Sequence, residues 1–266
     1  MMGISIAGLD PSGGAGIIAD IKTFSALGIH GTSAITALTA QNPNKIFSLM
    51  PIDSEYIEEQ IDSIFDDYGD YISYGKTGML YSTEIIKTVA KKIKEYNINV
   101  VVDPVMVASA GGSLLKEKNE IQEAKEEITN SFKKYLLPHS LITTPNVHEA
   151  EIISGIKIKT HEDAMKAASK IGKITNVIIT GGHLNGLNTI FNKSDDEIIN
   201  IKKPLIETQN VHGSGCSFSA ALAGYMIMDN NLNEAIKKAL DFTEIAIKNG
   251  NYGTLKQINS QQSYVF

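Results

Sequence analysis

The sequence lacks the features that several protein classes require. It has one cysteine and no tryptophan in 266 residues, and no apolar run approaches the roughly 20 residues of a membrane-spanning helix. A single cysteine excludes an intrachain disulfide framework and is typical of a reducing compartment, so we expect a cytoplasmic protein. Six histidines occur without cysteine partners or an H-E-x-x-H pattern, so no zinc site is predicted.

Concentrated positive charge is also missing. The net charge is −6, and the 24 basic residues are scattered along the chain rather than gathered in a stripe. We therefore expect neither a nucleic-acid nor a membrane partner. The start, Met1-Met2-Gly3-Ile4-Ser5-Ile6, has no charged leader and runs into a strand pattern, which argues against a signal peptide. The length and the 42% hydrophobic content predict one α/β domain, 1–266, with a polar tail at 249–266.

Short apolar runs alternate with segments of helical periodicity along the chain. The predicted strands are 3–9, 32–40, 71–74, 99–103, 140–143 and 176–180, followed by a hairpin of 186–192 and 197–201. The predicted helices begin near 17, at 54 with Ser54 as N-cap, and at 82, 120, 147, 161, 215 and 233. This alternation predicts a mostly parallel sheet with helices on both faces. Polar turns follow the predicted strands, where the sites of such folds gather.

A late glycine-rich turn is the first candidate site. His212-Gly213-Ser214-Gly215 precede a helix, and the free amides at a helix start favour a phosphate or an oxyanion. Cys216 falls in the first turn of that helix, where we expect the pKa of its thiol to be lowered. A lone cysteine is also often a small buried apolar residue, so both interpretations of Cys216 stay open.

The early glycine turn, Asp10 to Gly16, suggests a dinucleotide site but does not fit one. Its spacing is G-G-A-G rather than G-x-G-x-x-G, and the second strand ends in Gln41-Asn42, neither of which is acidic. A P-loop pattern is absent as well. A dehydrogenase is therefore disfavoured, and the late turn is the predicted phosphate site.

Seven motifs together resemble one family in collinear order. They are A-G-L-D-P-S-G-G-A-G within 7–28, T-A-L-T-A-Q-N at 36–42, K-T-G-M-L at 76–80, V-V-D-P-V-M-V-A at 101–108, T-P-N-V-H-E-A-E at 144–151, G-G-H-L at 181–184 and H-G-S-G-C-S-F-S-A-A at 212–221. The chain resembles the hydroxymethylpyrimidine/phosphomethylpyrimidine kinases of thiamine biosynthesis, which belong to the ribokinase-like superfamily. The resemblance implies a three-layer sandwich with a small hairpin near the nucleotide.

The resemblance also implies a reaction and its substrate contacts. It implies ATP-dependent phosphorylation of the pyrimidine's hydroxymethyl group and then of the monophosphate, with the ring held by Gly8, Asp20, Gln41 and Met79. Asp20 lies on the apolar side of its helix, so it needs a partner such as a ring nitrogen or an amino group. Gln41 can both donate and accept hydrogen bonds, and the Met79 thioether can pack on a flat ring. A helix acid and a core methionine are the plainer interpretations.

Nucleotide, metal and phosphoryl contacts follow from the same resemblance. They fall on Asp103, Asn146, Thr180, Gly182 and His212, with Asp103 and, through water, Glu149 holding Mg²⁺. Asn146 and Glu149 are three residues apart and are expected to share a helix face. The amides of Gly213, Ser214 and Gly215 would hold the transferred group, and the Cys216 thiolate would accept or orient the hydroxyl proton.

Two departures from the family pattern remove positive charge. Family members usually carry lysine where Thr180 stands, and often carry one in the loop that reads Ala108-Ser109-Ala110-Gly111 here. Neutralisation of the nucleotide phosphates would then pass to Lys76 or to a monovalent cation.

Two alternative functions remain open. They are a vitamin B6 kinase, which phosphorylates a pyridine alcohol on the same fold, and a catalytically silent pyrimidine-sensing protein. The resemblance further implies a homodimer.

Overall fold

The computed structural model describes residues 1–106 and 126–258. The strands are β1 (Met2–Leu9), β2 (His30–Asn42), β3 (Lys45–Pro51), β4 (Tyr74–Thr77), β5 (Asn99–Val102), β6 (Ser140–Thr143), β7 (Asn176–Ile179), β8 (Leu187–Asn192) and β9 (Glu197–Lys202). The α-helices with described bounds are α1 (Gly16–Ala26), α2 (Ser54–Tyr68), α3 (Thr83–Glu95), α4 (Val147–Ser154), α5 (His161–Gly172), α6 (Ser214–Ile227) and α7 (Leu232–Lys248).

All nine of these strands form one sheet in the order β3-β2-β1-β4-β5-β6-β7-β8-β9. The pairs from β2 to β7 are parallel, whereas β3 at one edge and the β8–β9 hairpin at the other are antiparallel. The parallel strands therefore end at a common edge, and the loops that leave this edge carry most of the predicted site residues.

Helices cover both faces of the sheet and close two hydrophobic cores. Helices α1, α6 and α7 pack together on one face, around Phe24, Phe218 and Phe242. Helices α2 to α5 cover the other face, around Ile57, Phe65 and a row of aliphatic side chains. The prediction of a mostly parallel α/β sandwich is thus confirmed. In the described ranges, no helix has the length and apolar character needed to cross a bilayer.

Two strands, β3 and β4, differ from the prediction. The strand before Gln41-Asn42-Pro43 ends at Asn42 as expected, but the strand that follows it was not predicted. Asn42 Oδ1 accepts hydrogen bonds from the amides of Asn44 and Lys45 and forms a tight hairpin into β3. The predicted strand 71–74 was wrong by three residues, because Gly69–Tyr71 is a 3-10 turn and β4 is Tyr74–Thr77. Gly75 and Lys76 are weak strand formers, so the pattern hid this buried central strand.

Two helix predictions also need correction. The N-cap of α2 is Asp53 rather than Ser54, because the Asp53 carboxylate accepts from the Glu55 amide. The first six residues of the predicted helix 120–135 lie outside the described residues. Residues 126–131 are helical, and a π-helical turn, Phe132–Leu136, follows. The many charged residues of this segment predict an exposed helix, but Phe132 and Leu136 at its end are buried in the core.

Candidate active site

The two glycine turns lie against each other at the carboxyl edge of the sheet. Gly213, the N-cap of α6, has φ 85°, and a Cβ there would stand 1.7 Å from the Gly14 carbonyl oxygen. A Cβ on Gly14 would in turn stand 2.5 Å from His212 Cδ2. Only glycine allows this backbone conformation and this approach. The two motifs that the sequence presented as rival phosphate sites are therefore parts of one site.

Asp10 connects these turns through hydrogen bonds. Its carboxylate accepts from the Ser12 amide at 2.8 Å, the Ala15 amide at 2.9 Å and His212 Nε2 at 2.7 Å. The Gln41 side chain also reaches it. Burial alone raises the pKa of Asp10, but hydrogen bonds from His212, Gln41 and Ser12 outweigh it and hold the pKa well below its usual range. Asp10 is therefore ionised in the folded protein.

A fully buried ion pair lies beneath the α6 start. Lys76 Nζ, from β4, lies 3.0 Å from both carboxylate oxygens of Asp20 on α1, and neither side chain is exposed to solvent. Ser5 donates a 2.6 Å hydrogen bond to the same carboxylate. Asp20 thus has the partner that its buried position required, but this partner is an ammonium group rather than a ring nitrogen or an amino group of a ligand.

Asp103 extends this buried cluster towards the predicted nucleotide side. Its Oδ2 lies 3.8 Å from Lys76 Nζ and accepts from the Ser219 hydroxyl at 3.2 Å. Burial raises the pKa of Asp103, Asp20 raises it further, and Lys76 opposes the rise. Burial lowers the pKa of Lys76, but Asp20, Cys216 and Asp103 outweigh burial, so the net shift is upward and Lys76 remains charged. One cation thus offsets several acidic groups.

Cys216 does not have the activated thiol that its helix position predicted. Burial raises the pKa of Cys216 to about 12, and the carboxylates of Asp103 and Asp20 add to this rise. Lys76 and the Gly16 amide, which donates to the sulfur, oppose it only in part. The prediction of a lowered pKa was wrong because burial and nearby carboxylates outweigh the helix dipole. Cys216 is half-buried, and its raised pKa makes it a thiol at neutral pH.

Three of the predicted substrate contacts lie close to these turns. A Cβ on Gly8 would stand 2.5 Å from Met79 Cε, so these two residues are in contact. The Gly8 carbonyl also lies against Gly16, which in turn bonds Cys216. Gln41 joins the group through Asp10. Asp20 differs, because it is enclosed by Ser5 and Lys76, and its contact with a substrate stays a prediction.

Asn146 and Glu149 form a capping box instead of sharing a helix face. Asn146 is the extended N-cap of α4, its side chain accepts from the Glu149 amide, and the Glu149 carboxylate accepts from the Asn146 amide. Burial raises the pKa of Glu149 to about 8, and the nearby Asp103 carboxylate raises it as well. The three-residue spacing therefore has a structural cause that the sequence interpretation missed.

The donor set of Asp103 and Glu149 fits a hard cation. The Asp103 carboxylate raises the pKa of Glu149 by repulsion, and a divalent cation near both groups would relieve this repulsion. Across residues 1–106 and 126–258, no three or more His, Cys, Asp or Glu side chains form a complete protein-only metal site. A Mg²⁺ ion here would thus take its remaining ligands from water and from phosphate oxygens.

The residues predicted for the nucleotide lie at the adjoining strand ends. Thr180 follows β7 and donates its amide to the Pro145 carbonyl, and a Cβ on Gly182 would meet no atom within 4 Å. His212 is held by Asp10, and Lys76 is enclosed by Asp20, so neither side chain is free to replace the missing lysines. The Ala108-Ser109-Ala110-Gly111 loop lies outside the described residues.

Sequence reasoning missed Asp10, Ser5 and Ser219 as site residues. Asp10 opens the D-P-S-G-G-A-G motif, and an acid three residues before a glycine turn was a signal that could have been followed. The serines gave no comparable signal, because their partners are 15 and 116 residues away in sequence. A cavity of about 720 Å³ between α1 and residues 251–258 contains none of the predicted site residues.

Comparison with known proteins adds a family context to this geometry. Residues 10–260 match the phosphomethylpyrimidine kinase family. A hydroxymethylpyrimidine/phosphomethylpyrimidine kinase of Bacillus subtilis is 40% identical over 252 residues, covering 92% of this chain and 89% of the relative.

Two solved structures share the architecture. The phosphomethylpyrimidine kinase of Clostridium difficile has a TM-score of 0.76 at 36% identity, with 93% of this chain and 99% of that chain covered. An ADP complex of Bacillus subtilis pyridoxal kinase has a TM-score of 0.85 at 33% identity, with 99% of both chains covered. The ribokinase-like fold expected from the sequence is thereby confirmed.

The first prediction concerns the contribution of the Lys76–Asp20 ion pair to stability. Asp20→Asn leaves a buried ammonium without its main counter-charge, so the free energy of unfolding should fall by about 3–5 kcal/mol in urea denaturation. Glu162→Gln, which breaks the exposed Lys166–Glu162 pair, is the matched control and should cost less than about 1 kcal/mol. Equal losses for the two variants would contradict a buried, ionised pair.

The second prediction concerns how the alkylation rate of Cys216 depends on pH. Because only the thiolate is alkylated, the rate with iodoacetamide should rise about tenfold per pH unit and still be rising at pH 10. The urea-unfolded chain is the reference, and its rate should level off about one pH unit above the ordinary thiol pKa of ~8.5. A plateau below about pH 7 in the folded protein would show an activated thiolate instead.

Proposed function

The chain belongs to the phosphomethylpyrimidine kinase family, and we propose that it transfers the γ-phosphoryl group of ATP to 4-amino-5-hydroxymethyl-2-methylpyrimidine and then to its monophosphate, as a step of thiamine biosynthesis. One observation carries this proposal. The glycine-lined start of α6, suited to a phosphoryl group, is joined through Gly16 and Asp10 to Gly8, Met79 and Gln41, which are suited to a flat heterocycle.

Gln41 supports an aminopyrimidine as the substrate. The Gln41 side chain contributes to the lowered pKa of Asp10, and since an ionised carboxylate can only accept hydrogen bonds, we infer that the Gln41 NH₂ group faces it. The Gln41 carbonyl oxygen is then the atom left for a ligand. An acceptor in this place suits the exocyclic amino group of the pyrimidine, while the Met79 thioether packs on the ring face.

The chain's contribution to phosphoryl transfer is positioning and charge stabilisation. The transition state is loose and spreads negative charge over the phosphoryl oxygens. The amides of Gly213, Gly215 and Cys216, at the start of α6, have no partners within the helix and would donate to these oxygens. The Ser214 amide, which was predicted to join them, donates to the Val211 carbonyl at 3.1 Å instead. The two glycines leave this backbone accessible to a ligand.

Cys216 acts in this proposal as the group beside the substrate hydroxyl. Because its pKa is raised, the resting thiol orients the hydroxyl by hydrogen bonding. Lys76 lies below it and stabilises the negative charge that develops if the sulfur takes the proton. A loose transition state needs little help from a base, so an orienting thiol is sufficient.

The negative charge of the nucleotide phosphates must be neutralised by cations, and the chain places few basic side chains near the site. All 24 basic residues are lysines, so no bidentate arginine contact to phosphate is available. Mg²⁺, held by Asp103 and through water by Glu149, would neutralise the phosphates when bound. Asn146, Thr180, Gly182 and His212 would border the nucleotide. A monovalent cation remains the proposed replacement for the lysine absent at position 180.

A vitamin B6 kinase is the second candidate. It is supported by the similarity to Bacillus subtilis pyridoxal kinase, whose fold this chain matches along its whole length. The orientation of Gln41 favours the pyrimidine over the pyridine alcohol. A catalytically silent pyrimidine sensor has only the missing lysines in its favour.

The proposed kinase is a single-domain protein that acts as a homodimer in the cytoplasm.

Removal of the thiol tests the proposed transfer site. In a coupled ATPase assay with the hydroxymethylpyrimidine and, separately, its monophosphate, Cys216→Ala should lower turnover at least about 100-fold while the Kd for ATP changes less than about threefold. Cys216→Ser keeps a hydrogen-bonding group and should retain more activity than the alanine variant. Turnover of Cys216→Ala within threefold of the unaltered protein would remove Cys216 from the chemistry.

Removal of the Gln41 amide tests substrate choice. Gln41→Leu should lower kcat/KM for the hydroxymethylpyrimidine at least about tenfold more than for pyridoxine, because only the pyrimidine loses a paired amino group. Any disturbance of Asp10 affects both substrates, so the ratio isolates recognition of the ring. A faster reaction with pyridoxine in the unaltered protein would instead favour the vitamin B6 kinase.

A further inference from the structure

Asp10 joins three segments that are far apart in sequence. Its carboxylate is 2% exposed, and the side chain accepts from Ser12 and Ala15 in the early turn and from His212 in the late turn. Gln41, at the end of β2, reaches the same group. The Asp10–His212 contact spans 202 residues of sequence. None of these hydrogen bonds belongs to a helix or to the pairing of two strands. They therefore hold the segments together beyond what the secondary structure does.

The contact with Asp10 also fixes the position of His212. An ionised carboxylate only accepts, so His212 Nε2 carries a hydrogen in this contact whether the ring is neutral or charged. The His212 amide donates to the Gly253 carbonyl at 3.2 Å, which fixes the backbone on the other side of the ring. His212 is therefore held at both its side chain and its main chain, directly before the N-cap Gly213.

The turns that Asp10 joins have few side chains of their own to hold them. Gly13, Gly14 and Gly16 form the early turn, and Gly213 and Gly215 form most of the late one. Glycine segments have the largest backbone freedom to lose on ordering. Their mutual contact is backbone against backbone, as in the approach of Gly213 to the Gly14 carbonyl. Side-chain bonds must therefore hold their relative position, and Asp10 supplies them to both.

We propose that Asp10 is a positioning residue that clamps the two glycine turns, so that the amides at the start of α6 and the Cys216 thiol are held in register with Gln41. In part this rests on the proposed kinase function. Asp10 itself touches neither substrate, since its carboxylate is occupied by protein donors. It acts through His212 on the phosphoryl side and through Gln41 on the side of the heterocycle.

The direct test is Asp10→Asn, which keeps the size of the side chain but offers only one acceptor oxygen to several donors. Turnover should fall about 10- to 100-fold, because a displacement of about 1 Å in a positioned site has that effect, while KM for ATP stays within about threefold. His212→Gln should give a similar loss. The double variant should lose no more than the larger single loss, since both changes open the same clamp.

A second measurement needs no catalytic activity. Gly16, next to the clamped Ala15, lies against the Cys216 sulfur, so an opened clamp should let water reach the thiol. Because burial is the main cause of the raised pKa of Cys216, the rate of its alkylation by iodoacetamide at pH 8 should then rise at least about tenfold. Asp62→Asn is the matched control, because it removes a carboxylate that pairs with Lys92 on the opposite helical layer. Its alkylation rate should equal that of the unaltered protein.

These two measurements separate the clamp from the proposed function. If the unaltered protein phosphorylates neither pyrimidine, the proposed function fails, and alkylation still decides on the clamp. If Asp10→Asn does not fold, His212→Gln alone decides, because His212 is 24% exposed and its loss opens the clamp from the other end. Unchanged alkylation in every folded variant would overturn the clamp. Losses of turnover that simply add in the double variant would overturn it too.

Discussion

The Lys76 ammonium is the charge on which the interior of the site depends. It lies under the start of α6 with no exposed surface and faces Asp20, Asp103 and Cys216. Without this cation, two buried carboxylates would lie close together beneath a site meant for anionic phosphates. With it, one of the two negative charges below the glycine turns is compensated, and the amides of α6 can present their partial positive charge to a ligand.

A second constraint is steric and concerns the backbone above this charge. The late turn approaches the early one until Gly213 has no room for a Cβ beside Gly14. Because of this contact, the residues proposed to bind the heterocycle, among them Gly8 and Gln41, lie next to the start of α6. Phosphoryl transfer needs the acceptor hydroxyl and the phosphoryl group side by side, and the packing of two glycine turns is a direct way to achieve this.

Much of the architecture could be predicted from periodicity, and the exceptions have identifiable causes. Strands such as β5 and helices such as α3 are uniform in character and were predicted within about two residues. Strand β4 was misplaced because Gly75 and Lys76 disguise a central strand, and Lys76 is buried only because Asp20 pairs with it 56 residues away in sequence. Strand β3 was missed because Pro43 marks a hairpin turn and not an end.

The candidate site was predictable in its motifs but not in its electrostatics. The glycine turns, Cys216, Gln41 and Met79 were found by pattern and by resemblance. The raised pKa of Cys216, the capping role of Asn146 and the bonds of Asp10 depend on burial and on contacts between distant segments, which no local pattern records.

The central claim is that the amides at the start of α6 hold the phosphoryl group in transfer. A crystal structure with the hydroxymethylpyrimidine and a non-hydrolysable ATP analogue tests it most directly. The account predicts γ-phosphate oxygens about 2.7–3.1 Å from the amides of Gly215 and Cys216, with the hydroxymethyl oxygen on the Cys216 side. A γ-phosphate bound away from the α6 start, with these amides facing only water, would contradict it.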